Sequence, residues 1–374
     1  MNFIGIDLHT NRFTCCYRDE QSSVESPTRG RVIKTFGLDA QGLAAFFQTL
    51  TSDTYVLVEA TITTSSFVRL LKGRVREALI ANTYELKQVS LARCNTDKID
   101  ADKLCRILKA QVLSGERLVS PVVLPPEGIQ DLRSLFSTYR LYQKQNVQIK
   151  NRVHSLLKER LHGFTQEEIF DKHNREKIRA ISPGTAMHFQ VNQLLDRLDR
   201  NAEDIQGLKD RILLDAAPHM AQIALLTSIK GVSVFIAIAI ITDIIDVSRF
   251  RDSKAFASYL RSAPRVSNSN TSVSIKGTNK KGRKLCSTLL TQSLNHVLDS
   301  SSKLRRWYDR LCEYKKPGLV RTGLRRRLLA EIFQMLKKGE YHYARDEKSH
   351  EAKMAQYRRF LENPKNQKIL QKVS

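Results

Sequence analysis

Met1-Asn2-Phe3-Ile4-Gly5-Ile6-Asp7-Leu8 opens the chain with an apolar run that contains a single acid. A short run of this kind reads as a strand buried on both faces. An unpartnered carboxylate inside it would be costly to bury, so Asp7 needs a partner, and a cation is the simplest one. Outward from this stretch the pattern continues as short β-branched or aromatic runs at 12–18, 31–36, 55–60 and 78–81, with helical patterns at 40–50 and 65–76.

Three strands in succession, then strands separated by helices, is the order of an RNase H-like (RuvC-like) mixed sheet. A Rossmann fold would alternate regularly, and no GxGxxG turn is present to favour one. Pro121, Pro125 and Pro126 end this α/β unit, expected to span 1–120, because proline neither continues a helix nor favours one before it.

Beyond the prolines everything reads as helix, so the expected class is α/β plus all-α. Ile129, Leu132, Phe136 and Tyr139, then Ile149, Val153, Leu156 and Leu157, form one stripe. Leu194, Leu195, Leu198, Ile205, Leu208, Ile212 and Leu213 form another, and Ser182-Pro183-Gly184 supplies a turn between them. Residues 121–217 therefore read as a long-helix coiled-coil linker or, with equal weight, as a plain bundle. Residues 218–343 read as a helical C-terminal domain, and 344–374 as a charged tail that is either a solvated helix or disordered.

Lys and Arg number 62 against 38 Asp and Glu in 374 residues, a formal net charge of +24. Such a balance predicts a polyanionic partner, and nucleic acid is the foremost candidate. A membrane span is excluded because the longest apolar stretch, 232–241, falls short of the roughly 20 residues required. No charged-then-apolar leader opens the sequence, so a cytoplasmic location is expected. Cys15, Cys16, Cys94, Cys105, Cys286 and Cys312 show no zinc-ligand or disulfide spacing and read as buried free thiols. Trp307 stands alone and gives no RNA-stacking signature.

From Lys254 to Leu298 there is no acid, while Arg261, Arg265, Lys276, Lys280, Lys281, Arg283 and Lys284 accumulate. A solvated basic face would explain the run, yet its one-sided sign favours phosphate contact. Leu226-Thr-Ser-Ile229-Lys-Gly231-Val232-Ser233 resembles a helix-hairpin-helix turn, whose amides could also face phosphate.

Four acids form the candidate catalytic set. Asp7 lies in the first strand, Glu59 ends the run Tyr55-Val-Leu-Val-Glu59, and Asp97 and Asp100 stand three apart on one face at the start of a helix. Converging carboxylates repel unless hard cations such as Mg²⁺ neutralise them, and two such ions about 4 Å apart can promote phosphodiester cleavage. Singly, each acid also has a plain explanation as a helix-terminal or surface residue; the ordered set raises the catalytic reading above that.

The chain resembles the DEDD-type transposases of insertion-sequence family one-ten, which include bridge-RNA-guided recombinases and relatives of Piv-type DNA invertases. The likeness rests on Gly5-Ile6-Asp7, Glu59-Ala60-Thr61, Asn82, Thr96-Asp97-Lys98-Ile99-Asp100-Ala101 and Leu104. In the second half it rests on Ile229-Lys230-Gly231-Val232, Phe250, Ala257-Ser258-Tyr259-Leu260, Ala263-Pro264-Arg265, Ser269, Gly277 and Lys280-Lys281-Gly282. The resemblance implies that Asp7, Glu59, Asp97 and Asp100 bind two Mg²⁺, or Mn²⁺ in their place. It also implies that Ser269 is the nucleophile that joins covalently to DNA.

Ser269 is identified by its distance from Gly277 and Gly282. Here Asn270 follows it where the family has Gly, and Ile229-Lys230-Gly231 replaces a Pro-Gly turn. The implied partners are donor and target DNA, a structured guide RNA, and further copies of the chain in a homodimer or tetramer with a composite site. Two other readings compete: a Holliday-junction resolvase-like nuclease that hydrolyses without Ser269, and a non-catalytic nucleic-acid-binding protein.

Overall fold

The computed structural model describes all residues except 23–29, 84, 87–95, 270–271, 279–281 and 372–374, and of 166, 170, 172 and 264–281 the backbone alone. The chain divides into two compact units, Met1–Pro125 and Pro126–Ser374.

The first unit runs β1 (Asn2–Leu8), β2 (Arg12–Asp19), β3 (Val32–Gly37), α1 (Ala40–Phe47), β4 (Thr54–Glu59), α2 (Thr64–Leu70), β5 (Glu77–Ala81) and α3 (Asp97–Ser114). Its five-stranded sheet is mixed, in the order β3-β2-β1-β4-β5. β1, β2 and β3 pair antiparallel, whereas β4 and β5 run parallel to β1. The strand positions depart from those expected by one residue at most. α2 is shorter than the expected 65–76, because Gly73 takes φ +76° and turns the chain into β5.

Side-chain alternation assigns the two faces of β1. Ile4, Ile6 and Leu8 pack with Phe13, Phe46, Val56, Val58 and Phe67 on one side, while Phe3 packs with Leu57, Leu104, Cys105 and Leu108 beneath α3 on the other. Gly5 sets how closely α3 approaches. A Cβ there would lie 2.2 Å from both the Ala101 carbonyl oxygen and the Cys105 nitrogen, so no other residue lets this helix rest on the strand. Farther along α3, the nearly inaccessible Lys109 donates from Nζ to the carbonyls of Asp19, Glu20 and Ser22, closing the end of β2.

The second unit opens with α4 (Glu127–Glu159), α5 (Gln166–Phe170), α6 (Arg175–Arg179), α7 (Ala186–Asp215), α8 (Met220–Thr227), α9 (Val234–Ile244) and α10 (Ser253–Tyr259). It continues with β6 (Pro264–Ser269), β7 (Ser272–Thr278), α11 (Leu285–Leu298), α12 (Ser302–Cys312), α13 (Pro317–Lys338), α14 (Glu347–Glu362) and α15 (Pro364–Leu370). α4 and α7 lie antiparallel. Val153, Leu156 and Leu157 late in α4 meet Met187, Val191 and Leu195 early in α7, and Ile129, Leu132 and Phe136 share a cluster with Ile212. The connection is longer than the single turn expected, since α5 and α6 precede Ser182 and Gly184, both at positive φ.

Two expectations are corrected. The C-terminal half is not all helix, because β6 and β7 form an antiparallel hairpin. Its sequence, Pro264-Arg-Val-Ser-Asn-Ser269 and Ser272-Val-Ser-Ile-Lys-Gly-Thr278, alternates polar and apolar residues too weakly to announce strands. The charged C-terminus is helical through α14 and is not solvated all round: one face is exposed and the other is packed. His350, Met354, Tyr357 and Leu361 are spaced four, three and four apart, share one helical face and are buried, the last three within the main helical core. The described cysteines are free: Cys15, Cys16, Cys105 and Cys286 are buried and Cys312 is half-buried, while Cys94 lies outside the described residues.

Candidate active site

In the parallel pair β1/β4, Ile6 lies opposite Val58, so Asp7 and Glu59 are the next residues on neighbouring strands. Both belong to the face that Gly5 and Leu57 present to α3. That helix begins beside them: Thr96 caps it, its hydroxyl accepting from the Ile99 amide at 3.4 Å, and Asp97 and Asp100 occupy the first turn. Negative charge at a helix N-terminus is favoured by the exposed amides and the helix dipole. The cap is thus Thr96, which leaves the Asp97 carboxylate available for the site.

His9 bridges the acids, its Nε2 lying 3.1 Å from Asp7 Oδ2 and 3.3 Å from Asp97 Oδ1. The ligand atoms of Asp7, His9 and Asp97 all fall within 4.8 Å of one another. Arg12 donates to Asp97 Oδ2 at 3.1 Å, and Lys103 donates to Asp100 Oδ1 at 2.9 Å. Burial raises the pKa of Asp7; His9 opposes the shift, and the charges of Asp97 and Asp100 add to it. Asp97 is shifted the other way: partial desolvation pushes its pKa up, but His9 and Arg12 together outweigh that.

The structure therefore brings Asp7 and Asp97 together and sets Asp100 near enough for its charge to act on Asp7. Glu59 stands at the adjacent strand end, outside the three-residue cluster. His9, Arg12 and Lys103 were not anticipated. His9 follows Asp7 by two, the period that returns a strand residue to the same face, and this was the available signal. Asp102, by contrast, belongs to a buried ion pair, with Arg18 donating from its η-nitrogen at 2.8 Å and from Nε at 3.2 Å. Two carboxylates and an imidazole converging within a few ångströms offer oxygen and nitrogen donors that could hold a divalent cation.

Ser269 is the last residue of β6 and pairs with Ser272 across the hairpin. Arg265 and Lys276 lie on the same hairpin, described by backbone only, while Lys280 and Lys281 lie outside the described residues. Arg283 donates from Nε to the fully buried Asp243 at 2.8 Å, and Asp243 also accepts from the Cys286 amide at 2.9 Å. Lys284 is exposed just ahead of α11.

The hairpin base is fastened from several sides. Gly282, at φ +101°, sits where a Cβ would meet the Tyr259 carbonyl oxygen at 2.2 Å, and Arg261 donates to the Gly282 carbonyl at 2.7 Å. Arg325, buried in α13, donates to the Ser262 hydroxyl at 2.9 Å and the Arg261 carbonyl at 3.1 Å. In the turn between α8 and α9, Gly231 faces inward, where a Cβ would lie 2.8 Å from the His296 Cβ. That glycine serves close packing against α11.

A mixed α/β unit with clustered acids at parallel strand ends, followed by a helical unit with a basic hairpin, is an arrangement suited to chemistry on a polyanion. Residues 223–309 match a family model described as Transposase IS116/IS110/IS902 family, which supports a place for the chain among transposases. Comparison with curated protein sequences gave no match. Among the described residues no helix is long and apolar enough to cross a membrane.

Proposed function

We propose that the protein is a DNA transposase or site-specific recombinase that cuts and rejoins strands of donor and target DNA. The observation that carries this reading is the family match over 223–309, which spans the hairpin bearing Ser269. An RNase H-like identity for the first unit is supported by its sheet order, three antiparallel strands followed by two parallel ones. Asp7, Asp97 and His9, with Glu59 and Asp100 beside them, would hold the divalent cations. Bound Mg²⁺ or Mn²⁺ would supply charge neutralisation and polarisation of a phosphate oxygen.

The chain's own groups then have separable tasks. Arg12 and Lys103 orient Asp97 and Asp100. The Ser269 hydroxyl attacks phosphorus, forming an ester to Oγ and breaking the bond to the departing strand, whose oxygen takes up the proton that serine loses. Attack by an incoming strand hydroxyl reverses the step, joins DNA and restores the serine. The net charge of +24 supplies long-range attraction. A structured guide RNA and a homodimeric or tetrameric assembly belong to the same reading.

The test is to incubate the protein with element-end DNA and Mg²⁺ and resolve the products on denaturing gels. A protein–DNA adduct is expected from the parent chain and from neither Asp7→Asn nor Ser269→Ala. Cleavage that persists undiminished in Ser269→Ala without any adduct would replace the recombinase by a hydrolytic nuclease. RNA that copurifies with the protein and maps to sequence flanking its gene would support guidance.

A further inference from the structure

The helical unit holds a cavity of about 650 Å³ that the catalytic reading does not use. Its size falls within the range of roughly 300–1,000 Å³ typical of small-ligand sites. Trp307, the only tryptophan in the chain, lines it, and Lys303, Arg306 and Arg310 stand with it on one face of α12, the four residues spaced i, i+3, i+4 and i+7 with Trp307 at i+4. Arg327 of α13 lies over the indole, 5.9 Å from the ring centroid. Glu331 is the sole carboxylate of the lining, so four cations face one anion. Among the described residues Lys303 and Arg310 make no ion pair.

His342, 9% exposed, closes one wall of the cavity, its Nε2 lying 3.3 Å from Glu331 Oε2, so the single carboxylate of the lining is already engaged with a neighbour. The cationic side chains and the indole are what the cavity offers to a ligand.

From this geometry we infer that the cavity seats one unpaired nucleotide of a bound strand. The base stacks against Trp307, and the flanking phosphates lie on Lys303, Arg306 and Arg310. Aromatic stacking and cationic rails are the two components of single-strand recognition. A base held in a duplex has both faces covered by its neighbours and could not stack on the indole, so the site selects single-stranded or extruded nucleotides. The inference goes beyond the catalytic reading and requires no strand cleavage.

Because Trp307 is the only tryptophan, its emission reports on the site directly. Full-length protein is titrated with a short single-stranded DNA, its RNA counterpart, the same DNA annealed to its complement, and heparin. Both single strands are expected to quench Trp307 and shield it from acrylamide, and whichever acts at the lower concentration identifies the natural source. The duplex and heparin should do so far less.

Trp307→Ala should weaken single-strand affinity, read by anisotropy of a labelled strand, by roughly 5- to 100-fold, the loss of one stacked base. Lys303→Ala and Arg310→Ala alter exposed positions and should weaken it without altering the melting midpoint. Asp7→Asn should leave the quench intact, which separates this site from the catalytic one. Emission that is unchanged when anisotropy shows saturation, or quenching by heparin equal to that by the strands, would overturn the proposal.

Discussion

Replacing Gly5 with alanine tests how the acid cluster is assembled. The added methyl would sit 2.2 Å from the Ala101 carbonyl oxygen and 2.2 Å from the Cys105 nitrogen, both backbone atoms that cannot rotate away. Ordinary contact lies near 3.5 Å, so α3 must withdraw by roughly 1 Å or more. Overpacking of this kind costs about 1–3 kcal/mol, read as a lower urea midpoint at unchanged m-value. Asp97 lies one helical turn before Ala101 and moves with it. Metal ligands tolerate displacements of about 0.2 Å, and a misplacement near 1 Å lowers activity about 100-fold. Divalent-cation affinity and strand cleavage should therefore fall together. Gly207, inside α7, is the control, because a methyl added there would meet no neighbouring atom within 4 Å: Gly207→Ala should raise stability by about 0.5–1 kcal/mol. A Gly5→Ala protein with parental stability and cation affinity would refute the argument that this glycine sets the helix–strand distance.

Other consequences can be checked alongside. Saturating Mg²⁺ should raise the unfolding free energy of the parent chain by about 2.7 kcal/mol at one hundred times Kd, and that of Asp7→Asn by much less, in thermal melts. Arg283→Ala leaves the buried Asp243 carboxylate with the Cys286 amide. Breaking a buried pair costs about 3–5 kcal/mol; the half-exposed guanidinium places this pair near the lower end, measurable by chemical denaturation. Lys109→Ala strips the donor from the carbonyls of Asp19, Glu20 and Ser22, so a loss of about 1–3 kcal/mol and faster amide exchange at the end of β2 are expected.

Local pattern carried much of the fold. Short β-branched and aromatic runs placed all five strands of the first unit, and the i, i+3, i+4 stripes placed α4 and α7, because these signals reside in residues a few positions apart. The hairpin β6–β7 escaped because its Ser, Asn and Thr residues favour loops as readily as strands when no partner strand is in view. α14 escaped because its charges outnumber the residues it buries. The four acids could be chosen by type and position, whereas His9 offered only its two-residue offset from Asp7, too slight a signal to single out one histidine.

What the amino-acid sequence determined by itself was the inventory: a basic chain, strands then helices, and acids where strands end and a helix begins. What tertiary structure alone decided was which of these meet. Asp7 and Asp97 are ninety positions apart and become neighbours only because Gly5 admits α3 onto the sheet. The cavity around Trp307 is likewise closed by segments running from Ile229 to Ala344. Local preferences fix the shape of each element over a few bonds, whereas convergence depends on side-chain volumes and backbone approach between elements distant in sequence, which no short window of residues encodes.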